Sequence, residues 1–350
     1  PELLAHKTIA TQASLSQVRF EPLGVVLAVM PWNYPVWQIL RFAIPALCAG
    51  NACAVKPAPS VARVSETLFG LVPKGLPLIG AWLSHEDTLK AIEDTDAMAF
   101  TGSTHTGRLL AAHAGKHLKK TVLELGGSNP FIILPDADLQ RAAIDACYSR
   151  FRDAGQSCNA AKRIIVTQDI ADQFIPLFLA ECTKLQTGNP KDPNTTLAPL
   201  HRQDLRQTVH EQVQDAVAHG AQRLSGGYIP DGESWFYPAT VLDQVSPNCR
   251  VWHEEVFGPV AMILRADNPD HAIALANDTP FGLGACIYTA DTANAWQYAE
   301  KIQAGSVFIN RHTSSDLRLP FGGVKASGYG RELSEFGLYE FVNVKTYWQK

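Results

Sequence analysis

Three residues of this chain pair a reactive side chain with a setting that could expose it. Cys158 closes the run Phe151-Arg-Asp-Ala-Gly-Gln-Ser-Cys158, after a Gly-Gln-Ser turn at the end of a helical stretch. A cysteine placed there could act as a nucleophile; the plainer reading is a small buried hydrophobe. Glu124, in Leu123-Glu-Leu-Gly-Gly127, ends a strand pattern where two glycines open the backbone. A carboxylate over such a crevice can be tuned as a general base, and a solvated strand-end glutamate is the alternative. Asn33 lies between bulky aromatics in Pro31-Trp-Asn-Tyr-Pro35, a turn fixed by two prolines. Its amide could hydrogen-bond an oxyanion or merely bond its own turn. A fourth feature, Gly102-Ser-Thr-His-Thr-Gly107, follows a strand pattern and opens a helix pattern, where N–H groups can meet a pyrophosphate. The Gly-x-Gly-x-x-Gly fingerprint itself is absent.

The elements that must position these residues alternate between β-rich runs and helical patterns. That order predicts an α/β fold with a mostly parallel sheet. Residues 24–30 predict a strand ending at the Pro31/Pro35 turn, and 38–49 a helix stopped by Gly50-Asn51. Further strands are expected at 52–56, 97–100 and 121–125, with a helix from the glycine turn to about His117. Beyond Gly126-Gly127 come a strand at 131–134 and a helix over 138–151 that begins near Asp136 or Asp138. Leu205, Val209, Val213 and Val217 recur every four residues and stop at Gly220, an amphipathic helix of ordinary core type. Strands near 261–264, 285–288 and 306–310 complete the pattern. The seam falls at Gly126-Gly127, giving one domain over 22–127 and another over 128–339. The β-prone terminal pieces, 1–21 and 340–350, read as an oligomerisation arm, with an intramolecular hairpin as the alternative.

Bulk properties narrow the function classes. With 350 residues and 46% hydrophobic content, the chain can build two cores of ~100–200 residues each. Only 18% of residues are charged and the net charge is -4, so no basic field invites nucleic acid. The longest apolar runs fall far short of the ~20 residues that cross a bilayer, and no basic stretch followed by an apolar one stands at the start of the given residues, so no secretory signal is expected in them. Seven cysteines lie scattered at 48, 53, 147, 158, 182, 249 and 286 without a Cys-x-x-Cys pair. Neither a zinc clip nor a disulfide framework is expected, no metal site is assigned, and a reducing cytoplasm fits. The six cysteines other than Cys158 read as packing residues.

Taken together, Pro31–Pro35, Glu124–Gly127, Gly155–Cys158 and Glu254-Glu-Val-Phe-Gly-Pro259 resemble, in this order, the aldehyde dehydrogenase superfamily. Pro320-Phe-Gly-Gly-Val-Lys-x-Ser-Gly328 and Gly330-Arg-Glu332 resemble its C-terminal region, so the likeness runs from about Phe20 to the end. The motif set most resembles bacterial NAD(P)-dependent succinate-semialdehyde dehydrogenases. The resemblance implies a Rossmann-like nucleotide domain, an α/β catalytic domain and a β oligomerisation arm. It also implies an N-terminal segment before Pro1 that this chain lacks, and a connection longer than the one at 71–83.

By motif, the resemblance makes Cys158 the nucleophile, Asn33 and the Cys158 N–H the oxyanion donors, and Glu124 the base that hydrolyses a thioester. It implies NAD as hydride acceptor. NADP stays open, because Pro59 stands where many NAD-preferring members carry a glutamate. Cofactor contacts fall on Trp32, Lys56, Gly102, Ser103, Gly107, Glu255 and Phe257. Arg41 and Arg152 match arginines that clamp a substrate carboxylate, with Ser315 on a nearby loop; pairing with an acidic neighbour such as Asp153 is the alternative. The expected reaction is oxidation of succinate semialdehyde by a homodimer or homotetramer. Another aldehyde, a non-catalytic truncated subunit, and acyl transfer to coenzyme A are the competing readings.

Overall fold

The computed structural model describes residues 2–232 and 234–350. In chain order the strands are β1 (Lys7–Thr8), β2 (Leu15–Pro22), β3 (Val25–Val29), β4 (Ala52–Lys56), β5 (Leu78–Gly80), β6 (Ala97–Thr101), β7 (Lys120–Glu124) and β8 (Asn129–Ile133). They continue with β9 (Ala161–Thr167), β10 (Gln222–Ser225), β11 (Thr240–Asp243), β12 (Val260–Ala266), β13 (Ala285–Tyr288), β14 (Val307–Ile309), β15 (Gly328–Tyr329) and β16 (Val342–Gln349). The α-helices before residue 220 are α1 (Pro35–Cys48), α2 (Ala62–Gly70), α3 (His85–Asp94), α4 (Thr104–Lys116), α5 (Leu139–Phe151), α6 (Gln168–Cys182) and α7 (Gln203–Ala218). No helix among the described residues is long and apolar enough to cross a membrane.

The chain divides into two compact units. The first comprises the chain through Leu125 with Ser315–Gly322 and Gly328–Lys350; the second comprises Gly126–Ser314 with Gly323–Ser327. The sequence reading put its seam at the same glycine pair. It differs in having assigned 315–322 and 328–339 to the second domain, whereas they pack with the first. The physical reason is β15, which adds antiparallel to β7 with Gly328 opposite Glu124. A pairing over two hundred residues apart leaves no periodicity to read.

In the first unit the main sheet has the order β15-β7-β6-β3-β4-β5. Strands β3 to β7 run parallel. The chain starts at β3, moves outward through β4 and β5, then returns to the other side of β3 with β6 and β7. That reversal creates a switch point between β3 and β6, the place where open α/β sheets bind ligands at their strand C-termini. Strand β3 serves both faces. Val26 and Ala28 pack with Ile39, Phe42 and Ala46 of α1, while Leu27 packs with Ile92 of α3 and Leu110 of α4. Such two-sided burial explains its unbroken apolar run. The short connection at 71–83 still supplies the edge strand β5, which pairs with β4.

Helix α1 begins at Pro35, three residues before the expected start. Proline was read as closing the turn, but at the first helical position its missing N–H costs nothing and its φ is already helical. Asp138 caps α5 as the sequence suggested, accepting from the Arg141 N–H at 3.0 Å. The terminal strands pair with each other: β16 runs antiparallel to β2 from Val342↔Pro22 to Gln349↔Leu15, with β1 on the outer side of β2.

The second unit is built on a sheet of order β10-β11-β12-β9-β8-β13-β14, parallel except for β10. Its core sets Ile132, Ile164, Ile165, Ile263 and Ile287 against Phe151, Phe174 and Phe178 of α5 and α6. Three cations, Arg150, Lys162 and Arg163, are fully buried in this apolar body. Backbone carbonyls are their main partners: Arg150 donates through Nε and Nη2 to those of Val256, Gly258 and Val260, and Arg163 donates to those of Ser128, Leu275 and Ala276. Arg150 thereby fixes the loop that carries Phe257.

Candidate active site

In the first unit the candidate residues gather at the C-terminal ends of adjacent parallel strands. Trp32 and Asn33 follow β3, Lys56 ends β4, Gly102 and Ser103 follow β6, and Glu124 ends β7. The backbone ties them closely, with the Met30 N–H donating to Lys56 O at 3.0 Å and the Gly102 N–H to Glu124 O at 3.0 Å. Gln38 Nε2 donates to Asn33 Oδ1 at 3.1 Å. This bond orients the carboxamide with its NH2 group on the side away from Gln38.

Around the switch point each residue has a definable duty. Lys56 is 8% exposed and has no ion-pair partner among the described residues; burial pulls its ammonium below the usual lysine range. Ser103 caps α4, accepting from the Thr106 N–H at 3.3 Å. Gly102 and Gly107 have packing reasons of their own. A Cβ on Gly102 would sit 2.5 Å from the Phe100 ring, and one on Gly107 2.4 Å from Leu125. Pro59 opens a short 3-10 turn beyond β4 and offers no carboxylate.

Glu124 lies in the most unusual electrostatic setting of this unit. It is 3% exposed, and neither carboxylate oxygen has a hydrogen-bond partner. Burial first, and then the like charge of Glu332, hold its carboxyl well above the usual carboxylate range against the pull of Arg41 and Arg331. Glu332 is itself buried and pushed up by desolvation, and Arg41 pairs with it. The Arg41 guanidinium lies 4.6 Å from the centre of the Phe321 ring. Gly322 makes room for the acid, since a Cβ there would stand 2.7 Å from Glu124 Oε1. The outcome is a buried carboxyl biased toward its neutral form.

In the second unit Cys158 is half-buried, in the turn that leads into β9. Its approach is strained: Asp153 and Ala154 hold φ of 54° and 53°, and Gly155 follows at 71°. Two consecutive non-glycine residues in the left-handed region cost on the order of 1–3 kcal/mol each and persist only where surroundings enforce them. Beyond this strained stretch, Lys162 holds the end of the turn. Its Nζ donates to Ser157 O and to Cys158 O, both at 2.9 Å, and pairs with Glu255 Oε1 at 3.1 Å. Three N–H donors meet three acceptors. Glu255 Oε1 also accepts from the Gly127 N–H at 3.0 Å, and a Cβ on Gly127 would strike Cys158 O at 2.6 Å. The Phe257 ring centre is 6.0 Å from the Lys162 ammonium. On the far side of the turn, Asn129 Nδ2 and Thr313 Oγ1 both donate to Asn159 O.

Sequence reasoning named Cys158, Glu255 and Phe257 but missed Lys162, and it quoted Glu332 without a role. The signal for Lys162 was present: two adjacent cations, Lys162-Arg163, interrupt an otherwise apolar strand. Arg152 pairs with Asp153 at 3.2 Å and lies 5.6 Å from the Tyr148 ring centre, while Ser315 is exposed. Arg41 and Arg152 thus each have the acidic neighbour that the sequence reading held as its alternative. Arg41 also borders a cavity of about 900 Å³ in the first unit, whose walls include Trp37, Ile44, Leu317 and Phe336.

Comparison with known proteins identifies the family. The model of the aldehyde dehydrogenase family matches residues 2–347. An aldehyde dehydrogenase of Paenarthrobacter nicotinovorans is 46% identical over 96% of this chain and 75% of its own length. The succinate semialdehyde dehydrogenase [NAD(P)+] of Escherichia coli (strain K12) is 42% identical over 100% of this chain and 77% of its own. Among solved structures, succinic semialdehyde dehydrogenase from Streptococcus pyogenes, in complex with NADP+, superposes with a TM-score of 0.96 at 36% identity, covering 99% of this chain and 78% of that one. The chain belongs to the aldehyde dehydrogenase family.

Proposed function

We propose that the chain oxidises a short aldehyde bearing a distal carboxylate, succinate semialdehyde first, to the carboxylic acid through a thioester on Cys158. The Cys158 thiolate adds to the aldehyde carbon, and the Asn33 amide and the Cys158 N–H hold the resulting alkoxide. Each such donor is worth ~10²–10³ in kcat. A nicotinamide dinucleotide supplies the hydride acceptor when bound. Glu124 takes a proton from the water that opens the thioester. The observation that carries this reading is the buried Glu124 carboxylate with neither oxygen hydrogen-bonded among the described residues, a group that burial holds well above the usual carboxylate range. Acyl transfer to coenzyme A needs no such base.

The residues at the switch point fit a nucleotide. Lys56 is a nearly buried cation without an acidic partner at the end of β4, a position suited to ribose hydroxyls or a phosphate. Trp32, Gly102, Ser103 and Gly107 would line the same strand ends, with the N-terminus of α4 facing the pyrophosphate. Glu255 and Phe257 would hold the nicotinamide end. Pro59 presents no carboxylate to a 2′-phosphate, so both NAD and NADP are admitted. The relatives' names, NAD(P)+ for one and a complex with NADP+ for another, support that breadth.

For the substrate, Arg41 at the wall of the 900 Å³ cavity, with Arg152 and Ser315, would receive the carboxylate. The β1-β2-β16 sheet, which exposes Val344 and Trp348, would join copies into a homodimer or homotetramer. The first unit would then serve as nucleotide domain and arm, and the second as catalytic domain. Seven cysteines with no disulfide among the described residues suit a reducing compartment, the cytoplasm. The test is direct: mix the purified chain with succinate semialdehyde and either nucleotide, and follow absorbance of the reduced form with and without coenzyme A. Reduction independent of coenzyme A is expected. No reduction with either nucleotide contradicts the proposal, and dependence on coenzyme A removes the hydrolytic role of Glu124.

A further inference from the structure

A second cluster of ligating side chains lies away from the strand ends, on the paired helices α3 and α4. Glu93 is in the last turn of α3; His113 is in the last turn of α4, and His117 is its C-cap residue. The His-x-x-x-His spacing puts both imidazoles on one helix face, the arrangement through which helices commonly hold zinc. Both rings turn their Nε2 atoms to the same carboxylate oxygen, Glu93 Oε1, at 3.1 Å for His113 and 3.5 Å for His117. All three candidate ligand atoms lie within 4.8 Å of one another, and the ring centroids are 5.0 Å apart. Ligands of a tetrahedral zinc, at about 2.0–2.1 Å from the metal, stand about 3.3 Å apart. Two of the three edges are therefore already close to that value.

The bland account is a pair of charge-assisted bonds from the histidines to Glu93. It explains His113 in part, since Nε2 also lies 3.1 Å from Leu89 O, which a donated proton would satisfy. It explains His117 poorly, because its Nε2 is sealed from solvent with no hydrogen-bond partner. Two imidazolium rings converging on one carboxylate oxygen would also repel each other. A cation bound between two neutral imidazoles and a carboxylate removes both difficulties.

We propose that Glu93, His113 and His117 form a binding site for a divalent transition metal of the zinc class. Imidazole nitrogen with one carboxylate oxygen suits Zn²⁺, Ni²⁺ and Cu²⁺ rather than Mg²⁺ or Ca²⁺. Three protein ligands leave one position to water, and the Glu93 side chain is 42% exposed, so the ion would exchange with solvent. Its effect would be to clamp α3 to the end of α4 opposite Ser103. The sequence reading assigned no metal because it searched for paired cysteines, and these ligands come from two helices. The site is independent of the proposed aldehyde chemistry.

Titration calorimetry of the full chain with ZnCl₂ tests the site, with Co²⁺ absorption as the report on ligand type. One ion per chain is expected, with a nitrogen and oxygen spectrum free of sulfur-to-cobalt charge transfer. A rise in Tm with Zn²⁺ should accompany it. His113→Ala and His117→Ala should each weaken binding at least ~10-fold and remove the Tm rise. Glu93→Gln, a near-isosteric change on an exposed side chain, provides a variant that keeps the helices intact. Absence of binding, a thiolate band, or affinity unchanged in His113→Ala, His117→Ala and Glu93→Gln would overturn the proposal.

Discussion

The two polar clusters differ in how completely their groups are satisfied. In the first unit Glu124 is buried with both oxygens unbonded, pushed toward its neutral form and balanced only by charges at a distance. In the second, Lys162 is equally buried, yet each of its N–H donors has an acceptor. The acid proposed to change protonation is left short of partners, whereas the lysine that holds a backbone turn has all of them. Burial alone therefore does not mark a residue's duty; satisfaction does.

The strongest way to break this contrast is to remove the unsatisfied acid. Glu124→Gln should lower steady-state kcat by ~10²–10⁴ while a first turnover of nucleotide reduction survives, because only the hydrolytic step loses its base. Stopped-flow absorbance measures both, and equal loss of burst and steady state would place Glu124 elsewhere in the reaction. Next in size is Lys162→Met, which keeps the length of the side chain and deletes the donors. Loosening the Ser157–Cys158 backbone should cost ~10²-fold in kcat/KM and change the rate at which iodoacetamide alkylates Cys158. Unchanged alkylation with a lowered Tm would reduce Lys162 to packing.

A smaller effect is expected from Arg41→Leu. KM for succinate semialdehyde should rise ~10- to 100-fold, and far less for butanal, since only the former offers a carboxylate. Equal losses for both would leave Arg41 as a structural partner of Glu332. The finest test is the pH profile. As the proposed base, Glu124 would act only when ionised, so kcat should climb as pH rises through a pKa held well above the usual carboxylate range. Glu332→Gln removes a like charge, and the limb should move to lower pH. A wild-type limb in the ordinary carboxylate range would contradict the dry setting of Glu124.

Much of this arrangement was legible in the sequence where the determinants are local. Proline-bounded turns and glycine pairs located the ends of β3, β4 and β7, and an aspartate cap located α5. The candidate nucleophile, acid and amide stood out only through their joint order, because each has an ordinary structural reading on its own. What escaped was non-local. The return of 328–339 to the first unit depends on β15 finding β7. The pairing of β2 with β16 joins the two ends of the described chain. Glu332 and Lys162 acquire meaning from partners brought near by the fold, although two successive cations in an apolar strand were a fair warning. His113 and His117 carry no role in the sequence analysis; they gain one only where α3 sets Glu93 beside them.

The most direct measurement is to trap the acyl intermediate. Glu124→Gln would be mixed with succinate semialdehyde and nucleotide, quenched in acid, digested and analysed by mass spectrometry. The account predicts one succinyl group on Cys158, released by hydroxylamine and missing when Cys158→Ala is treated in the same way. A succinyl group on any other side chain, or sustained turnover by Cys158→Ala, would contradict it.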